Sequence, residues 1–103
     1  MTVKLKDVVE STKLSSSAIV VTGKCNLAAM LLGTDGVNDP VVTVYDGTDN
    51  TGEEVVPTTT YDASALGLSG YMGKLLLCDT GIYVEITCAG TVEVVIHYNH
   101  YAV

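Results

Sequence analysis

The sequence predicts an all-β fold, an antiparallel β-sandwich of jelly-roll type with about seven or eight short strands. Three observations predict it. Runs of β-branched residues are separated, along nearly the whole chain, by clusters of Gly, Asp, Asn, Ser and Thr. Two stretches near the C-terminus alternate strictly with period two, as half-buried strands do. One stretch, Val41 to Val56, spells a strand, a turn built of Asp46-Gly47-Thr48-Asp49-Asn50-Thr51-Gly52, and a returning strand.

Taken in order, residues 1–14 are expected to be an N-terminal arm or edge strand, and residues 15–103 a single β-sandwich domain. In the arm Val3 and Leu5 alternate with Lys4 and Lys6, and lysines are common on edge strands. Ser15-Ser16-Ser17 breaks the chain before the strand Ala18-Ile19-Val20-Val21-Thr22. Lys24 to Leu32 is ambiguous, because Leu27, Met30 and Leu31 fit helical spacing and Gly33 could cap a helix. Its shortness and apolar faces favour a strand. Gly33 to Pro40 is a loop by its residue types. Strands over 41–45 and 53–56 follow, and Pro57 either ends the second or places it at an edge. Thr58 to Gly70 is a longer loop with room for one helical turn around 62–66.

Lys74 to Cys78 is a continuous apolar run, expected to be a buried strand, and Asp79-Thr80-Gly81 a turn. Ile82, Val84, Ile86 and Cys88 then share one face, as do Val92, Val94, Ile96 and Tyr98. If these two strands form a hairpin, parity favours a three-residue loop, Ala89-Gly90-Thr91, because it keeps Cys88 and Val92 on the same side.

Composition limits the function. A single domain of 103 residues buries roughly 65% of its unfolded surface, enough for a core without metals or disulfides. Hydrophobic residues make up 48% and charged residues 17%, so apolar surface is expected to face a partner. Net charge is −7, and the five cations are all lysines. A nucleic-acid partner is therefore not expected, since it calls for a basic footprint and arginine forks. Cys25, Cys78 and Cys88 are odd in number and lack Cys-x-x-Cys spacing, so they are expected to be reduced core-fillers. No signal peptide or membrane span is apparent, and synthesis in a reducing cytosol is expected.

Four stretches could carry chemistry. Leu76-Leu77-Cys78-Asp79-Thr80-Gly81 matches the motif of dimeric retroviral-type aspartic proteases, in which two aspartates share a proton. It comes too late in the chain, and Ile82 stands where that family has a small residue, so a turn is the favoured reading. Asp46, Asp49, Glu53 and Glu54 gather oxygen ligands of the kind calcium takes, but without the spacing of a calcium loop. His97 and His100 should face opposite sides of a strand and so cannot share a metal unless the strand ends between them. Gly67-Leu68-Ser69-Gly70 and Gly70-Tyr71-Met72-Gly73 are too loose for a phosphate loop, and no nucleophile has a His and acid arrangement. The chain is expected to be no enzyme and to take no cofactor, metal or small-molecule substrate. The candidate interface residues are Val3, Leu5, Tyr98, Tyr101 and Val103, the tyrosines supplying amphipathic contact area.

The run Leu31 to Thr48 with Gly52, and the closing run Gly81 to Val94 with its Gly-aromatic-Val strand and Gly turn, resemble small virion structural proteins of tailed bacteriophages. The likeness spans roughly residues 18–98 and rests on strand and turn motifs. It implies a β-sandwich that decorates or cements the capsid as a homo-oligomer, a trimer foremost. Its implied partners are further copies of itself and the major capsid protein; its implied location is the virion, assembled in the host cytoplasm. An alternative is a neck, tail or fibre component with a ligand- or sugar-binding sandwich.

Overall fold

The computed structural model describes residues 4–5, 9–64 and 76–102. These residues form nine strands and no helix: β1 (Lys4–Leu5), β2 (Glu10–Leu14), β3 (Ala18–Thr22), β4 (Cys25–Thr34), β5 (Val41–Asp46), β6 (Glu53–Thr60), β7 (Leu76–Cys78), β8 (Gly81–Thr87) and β9 (Val92–Ala102). One sheet has the order β2-β9-β4-β7, with β1 continuing the same edge of β9 beyond β2; the other has the order β3-β8-β5-β6. All the pairings are antiparallel.

The fold is a β-sandwich, and its connectivity is that of a jelly roll. Working outward from the β5–β6 hairpin, β4 pairs β7, β3 pairs β8 and β2 pairs β9. This is a long two-stranded ribbon rolled into two sheets. Every connection from β2 onward except β5–β6 therefore crosses between sheets. The expected β8–β9 hairpin is thereby corrected: the two strands alternate as expected, but they lie in opposite sheets. Parity orients side chains correctly and does not choose a strand's partner.

The ambiguous segment is strand β4, and its helix-like spacing has a structural cause. The register with β9 slips between Leu27 and Ala29. A bulge inserts one residue and rephases the alternation, so Leu27 and Met30, three apart, both point into the core. Pro57 sits inside β6, an edge strand where its missing N–H costs no ladder bond on the solvent side. Leu77 corrects another expectation. The run ending at Cys78 is an edge strand, and Leu77 projects outward, 49% exposed. The remainder of the helical turn expected around 62–66, from residue 65, lies outside the described residues, as do Lys74 and Leu75.

Between the sheets lie Val21, Leu27, Met30, Val42, Val44, Ile82, Val84, Val94 and Ile96, with Cys25, Cys78 and Tyr98 at one end. Each fully buried Val, Leu or Ile contributes about 1.5–3 kcal/mol by leaving water.

Candidate functional site

The loops gather at the two ends of the sandwich, and aspartates tie each end, Asp35 and Asp39 at the first and Asp46 at the second. At the first end lie the connections around 15–17, 35–40, 61–64 and 88–91. Asp35 Oδ1 accepts the Val37 and Asn38 backbone N–H groups, both at 2.8 Å, and Oδ2 accepts Asn38 Nδ2 at 2.8 Å and the Thr91 N–H at 3.3 Å. These bonds to the charged form hold the Asp35 carboxyl far below the usual carboxylate range. The loop so fixed lifts Val37 into solvent, 80% exposed. Thr34 Oγ1 donates to the Ala63 carbonyl at 3.0 Å and Asp39 Oδ1 accepts the Ala63 N–H at 2.9 Å. Ser17 Oγ accepts the Ile86 N–H at 2.8 Å.

At the second end lie the connections around 23–24, 47–52 and 79–80. Asp46, the last residue of β5, accepts the N–H groups of Asp79, Thr80 and Gly81 at 2.9, 2.8 and 3.3 Å. Backbone bonds complete the junction, from Gly23 N to the Thr80 carbonyl at 2.7 Å and from Gly47 N to the Gly81 carbonyl at 3.2 Å. The protease-like segment Asp79-Thr80-Gly81 is thus the β7–β8 turn, its amides held by Asp46 and the Asp79 side chain exposed.

The same geometry disperses the carboxylates of the 46–54 region. Asp46 faces the 79–81 amides, Asp49 bends back onto Thr51 N at 2.9 Å and Thr51 Oγ1 at 2.5 Å, and Glu54 accepts the Thr58 N–H at 3.1 Å. The Thr51 bonds lower the Asp49 carboxyl pKa. Among the described residues no group of three or more His, Cys, Asp or Glu could hold a metal ion.

On the inner side of this second end, three residues form a row across the sheet. Cys25 on β4 lies directly opposite Cys78 on β7 and, on its other side, His100 on β9. Cys25 and Cys78 are free and fully buried. The neighbouring Cys78 thiol lowers the Cys25 pKa, and Cys25 together with burial raises that of Cys78, while Cys78 Sγ donates to the Leu76 carbonyl at 3.9 Å. His100 Nδ1 lies 2.5 Å from Glu10 Oε2 on β2, and the His100 ring meets Tyr98 edge-on at 5.2 Å.

The candidate interface residues separate. Tyr98 is corrected: the C-terminal segment is not an exposed tail but the central strand β9, flanked by β2 and β4, so Tyr98 is buried and bonds Thr12 Oγ1 through its hydroxyl at 3.2 Å. Tyr101 is half-buried, with Lys24 Nζ 5.0 Å from its ring centre. Leu5 is placed by its backbone opposite Tyr101 on the sheet edge. Val3 and Val103 lie outside the described residues, as do Gly67 to Gly73. Among the described residues, the large apolar side chains about half exposed or more, which composition alone could not locate, are Val37 on the Asp35-bound loop, Ile19 on β3, Leu77 on β7 and Val9 beside β2. Three of these belong to or border edge strands.

On the outer face of the second sheet Tyr45 and Tyr83 are 6.2 Å apart and tilted by 40°. Glu85 receives Asn50 Nδ2 at 3.1 Å and the Tyr45 hydroxyl at 3.5 Å. Burial, Glu85 and Glu54 push the Tyr45 pKa up. Sequence reasoning missed the aspartate ties and the thiol row. Asp35 carries a local signal, an Asp whose acceptors serve residues two and three further on. Asp46 and Cys25 act across more than thirty residues, and no local pattern announces that.

Comparison with protein-family models, with curated proteins and with solved structures finds no match for this chain.

Proposed function

We propose that this protein is a structural subunit of a tailed-bacteriophage virion, a capsid decoration or cement protein that acts as a homotrimer by covering surface on the major capsid protein. The observation that supports this reading best is Val37, an apolar side chain 80% exposed at the tip of a loop that four hydrogen bonds to Asp35 hold rigid. A pre-ordered apolar contact loses little entropy on docking. Few charged residues, and exposed apolar side chains at sheet edges, suit the same role. The jelly-roll fold is shared by viral capsid domains, but also by lectins and cupins, so it supports the reading only by analogy.

The test is copurification with intact particles at a copy number matching capsomer junctions, together with light scattering of the free protein. Val37→Asp is expected to abolish particle binding while leaving the folded subunit intact. A monodisperse monomer without affinity for capsids rejects the reading. A second reading, a sugar-binding neck, tail or fibre module, draws on the Tyr45–Tyr83 pair beside Glu85 and Asn50. A glycan array on which Tyr83→Ala abolishes binding supports it, and an array without hits removes it.

A further inference from the structure

We infer that Cys25 and Cys78 are a disulfide-forming pair, a site of oxidative modification that reacts with small-molecule disulfides of the oxidised-glutathione class and staples β7 to β4. The inference does not depend on the virion reading.

Cys25 and Cys78 are register partners in an antiparallel ladder. Such partners have Cα atoms about 4.5 or 5.5 Å apart depending on their phase in the ladder, and both values fall within the roughly 4.4–6.8 Å that disulfides span. Both side chains are buried in the core cluster on the inner face of the same sheet. Bridging them requires no change of strand register. Cys88, in the β8–β9 connection at the opposite end of the sandwich, donates to the Asn38 carbonyl at 3.6 Å and is no competitor for either.

Both thiols are buried, so the reaction needs an opening. The fold supplies one. Among the described residues β7 is a three-residue edge strand that pairs with β4 alone, and Leu77, next to Cys78, is half exposed. Short edge elements open at far lower free energy than the whole domain. Once β7 lifts, the Cys25 thiolate attacks one sulfur of the oxidant's disulfide and expels a thiolate. That leaves a mixed disulfide on Cys25. Deprotonated Cys78 then attacks the Cys25 sulfur and expels the second thiolate. Two protein thiols are oxidised, one disulfide is reduced to two thiols, and the two protons pass to the expelled thiolates.

The resulting bond would close a long loop from β4 through the β5–β6 hairpin to β7. Long closed loops restrict the unfolded chain most. The redox state would therefore set how β7 is held at the second end, by strand pairing where thiols are kept reduced and by a covalent staple as well after release into an oxidising medium.

The test uses the folded full-length chain carrying Cys88→Ser, incubated with oxidised glutathione, alkylated and digested without reduction. The expected product has lost both thiols, weighs two hydrogens less, retains no glutathione and yields a peptide joining Cys25 to Cys78. Its Tm is expected to rise by on the order of 5–10 °C and to fall back with dithiothreitol. A second variant that adds Cys78→Ser should stop at one glutathione on Cys25. If the Cys88→Ser chain keeps both thiols free, or stops at a stable mixed disulfide, the pair is not disulfide-forming and the inference falls. That chain decides the outcome even if the added serine impairs folding.

Discussion

The two ends of this sandwich are closed by the same residue type in different ways. At the first end Asp35 binds mostly its own loop and reaches the 88–91 connection by one 3.3 Å bond to Thr91. At the second end Asp46 makes no bond within its own turn. It is aimed at the amides of Asp79, Thr80 and Gly81, while the backbones of three connections touch directly through Gly23, Gly47 and Gly81. The first end is a self-supporting loop tethered mainly by side chains, with one backbone bond from Tyr61 N–H to the Pro40 carbonyl at 2.9 Å. The second is a junction of backbones in which Gly81 has no room for a side chain. Local closure leaves a loop tip free to present Val37, whereas backbone closure leaves a tight end under which the paired cysteines lie.

Substitutions should separate these two designs, and the largest effect is expected at the backbone junction. Gly81 has φ +157°, and a Cβ there would strike the Val21 carbonyl oxygen and sit 3.0 Å from that of Gly47. Gly81→Ala should cost about 3 kcal/mol, since neither contact is a flexible side-chain tip. Urea unfolding measures it, and a loss below about 1 kcal/mol would show that the junction is slack.

Asp46→Ala is next. It removes the acceptor of three amides, one of them on buried Gly81, and should cost about 2 kcal/mol. Hydrogen exchange should then speed up at residues 79–81 and leave the Asp35 loop unchanged; uniform acceleration at both ends would mean that they are not independent.

At the first end Gly90→Ala should be milder, about 1–2 kcal/mol. Its Cβ would strike the Asp35 carboxylate and the Asn38 side-chain amide, which can swing aside. The amide resonances of Val37 and Thr91 should shift together; if Thr91 alone moves, the loop is held without the tether.

The smallest effect belongs to Asp35→Asn. An Asn oxygen can still accept the Val37 and Asn38 N–H groups, so the local turn persists while the second oxygen's bonds to Asn38 Nδ2 and Thr91 are lost. The pH dependence has a definite sign. The folded pKa of Asp35 is depressed, so its contribution is fully present above the unfolded value, about pH 4, and is lost as pH falls below that toward the folded value. The Tm difference between wild type and Asp35→Asn should be small at pH 7, because the group is exposed and screened, and should shrink below pH 4. A difference that grows on acidification would overturn the assignment of Asp35 as the charged acceptor.

Much of this contrast follows the sequence separation of the partners. The Asp35 turn spans three residues, and its position in a Gly, Asp and Asn-rich loop is written locally. The β5–β6 hairpin is likewise local, and its strands pair as its turn chemistry predicts. The period-two patterns of β8 and β9 place Val84, Val94 and Ile96 in the core as expected. Where a bulge rephased β4, the pattern at Leu27 and Met30 imitated a helix. Where a strand's position in its sheet mattered, local composition misled: Leu77 lies on an edge and is exposed, while Tyr98 lies on a central strand and is buried.

The sequence by itself determined the all-β class, the inward faces of β8 and β9 and the β5–β6 hairpin, because alternation and turn chemistry act over a few residues. Only the tertiary structure decided which strands share a sheet, that Asp46 serves a turn more than thirty residues away, and that Cys25 faces Cys78. Those pairings arise when the ribbon rolls and its apolar faces meet. The hydrophobic effect that drives the meeting depends on area and not on direction, so no single residue encodes its partner.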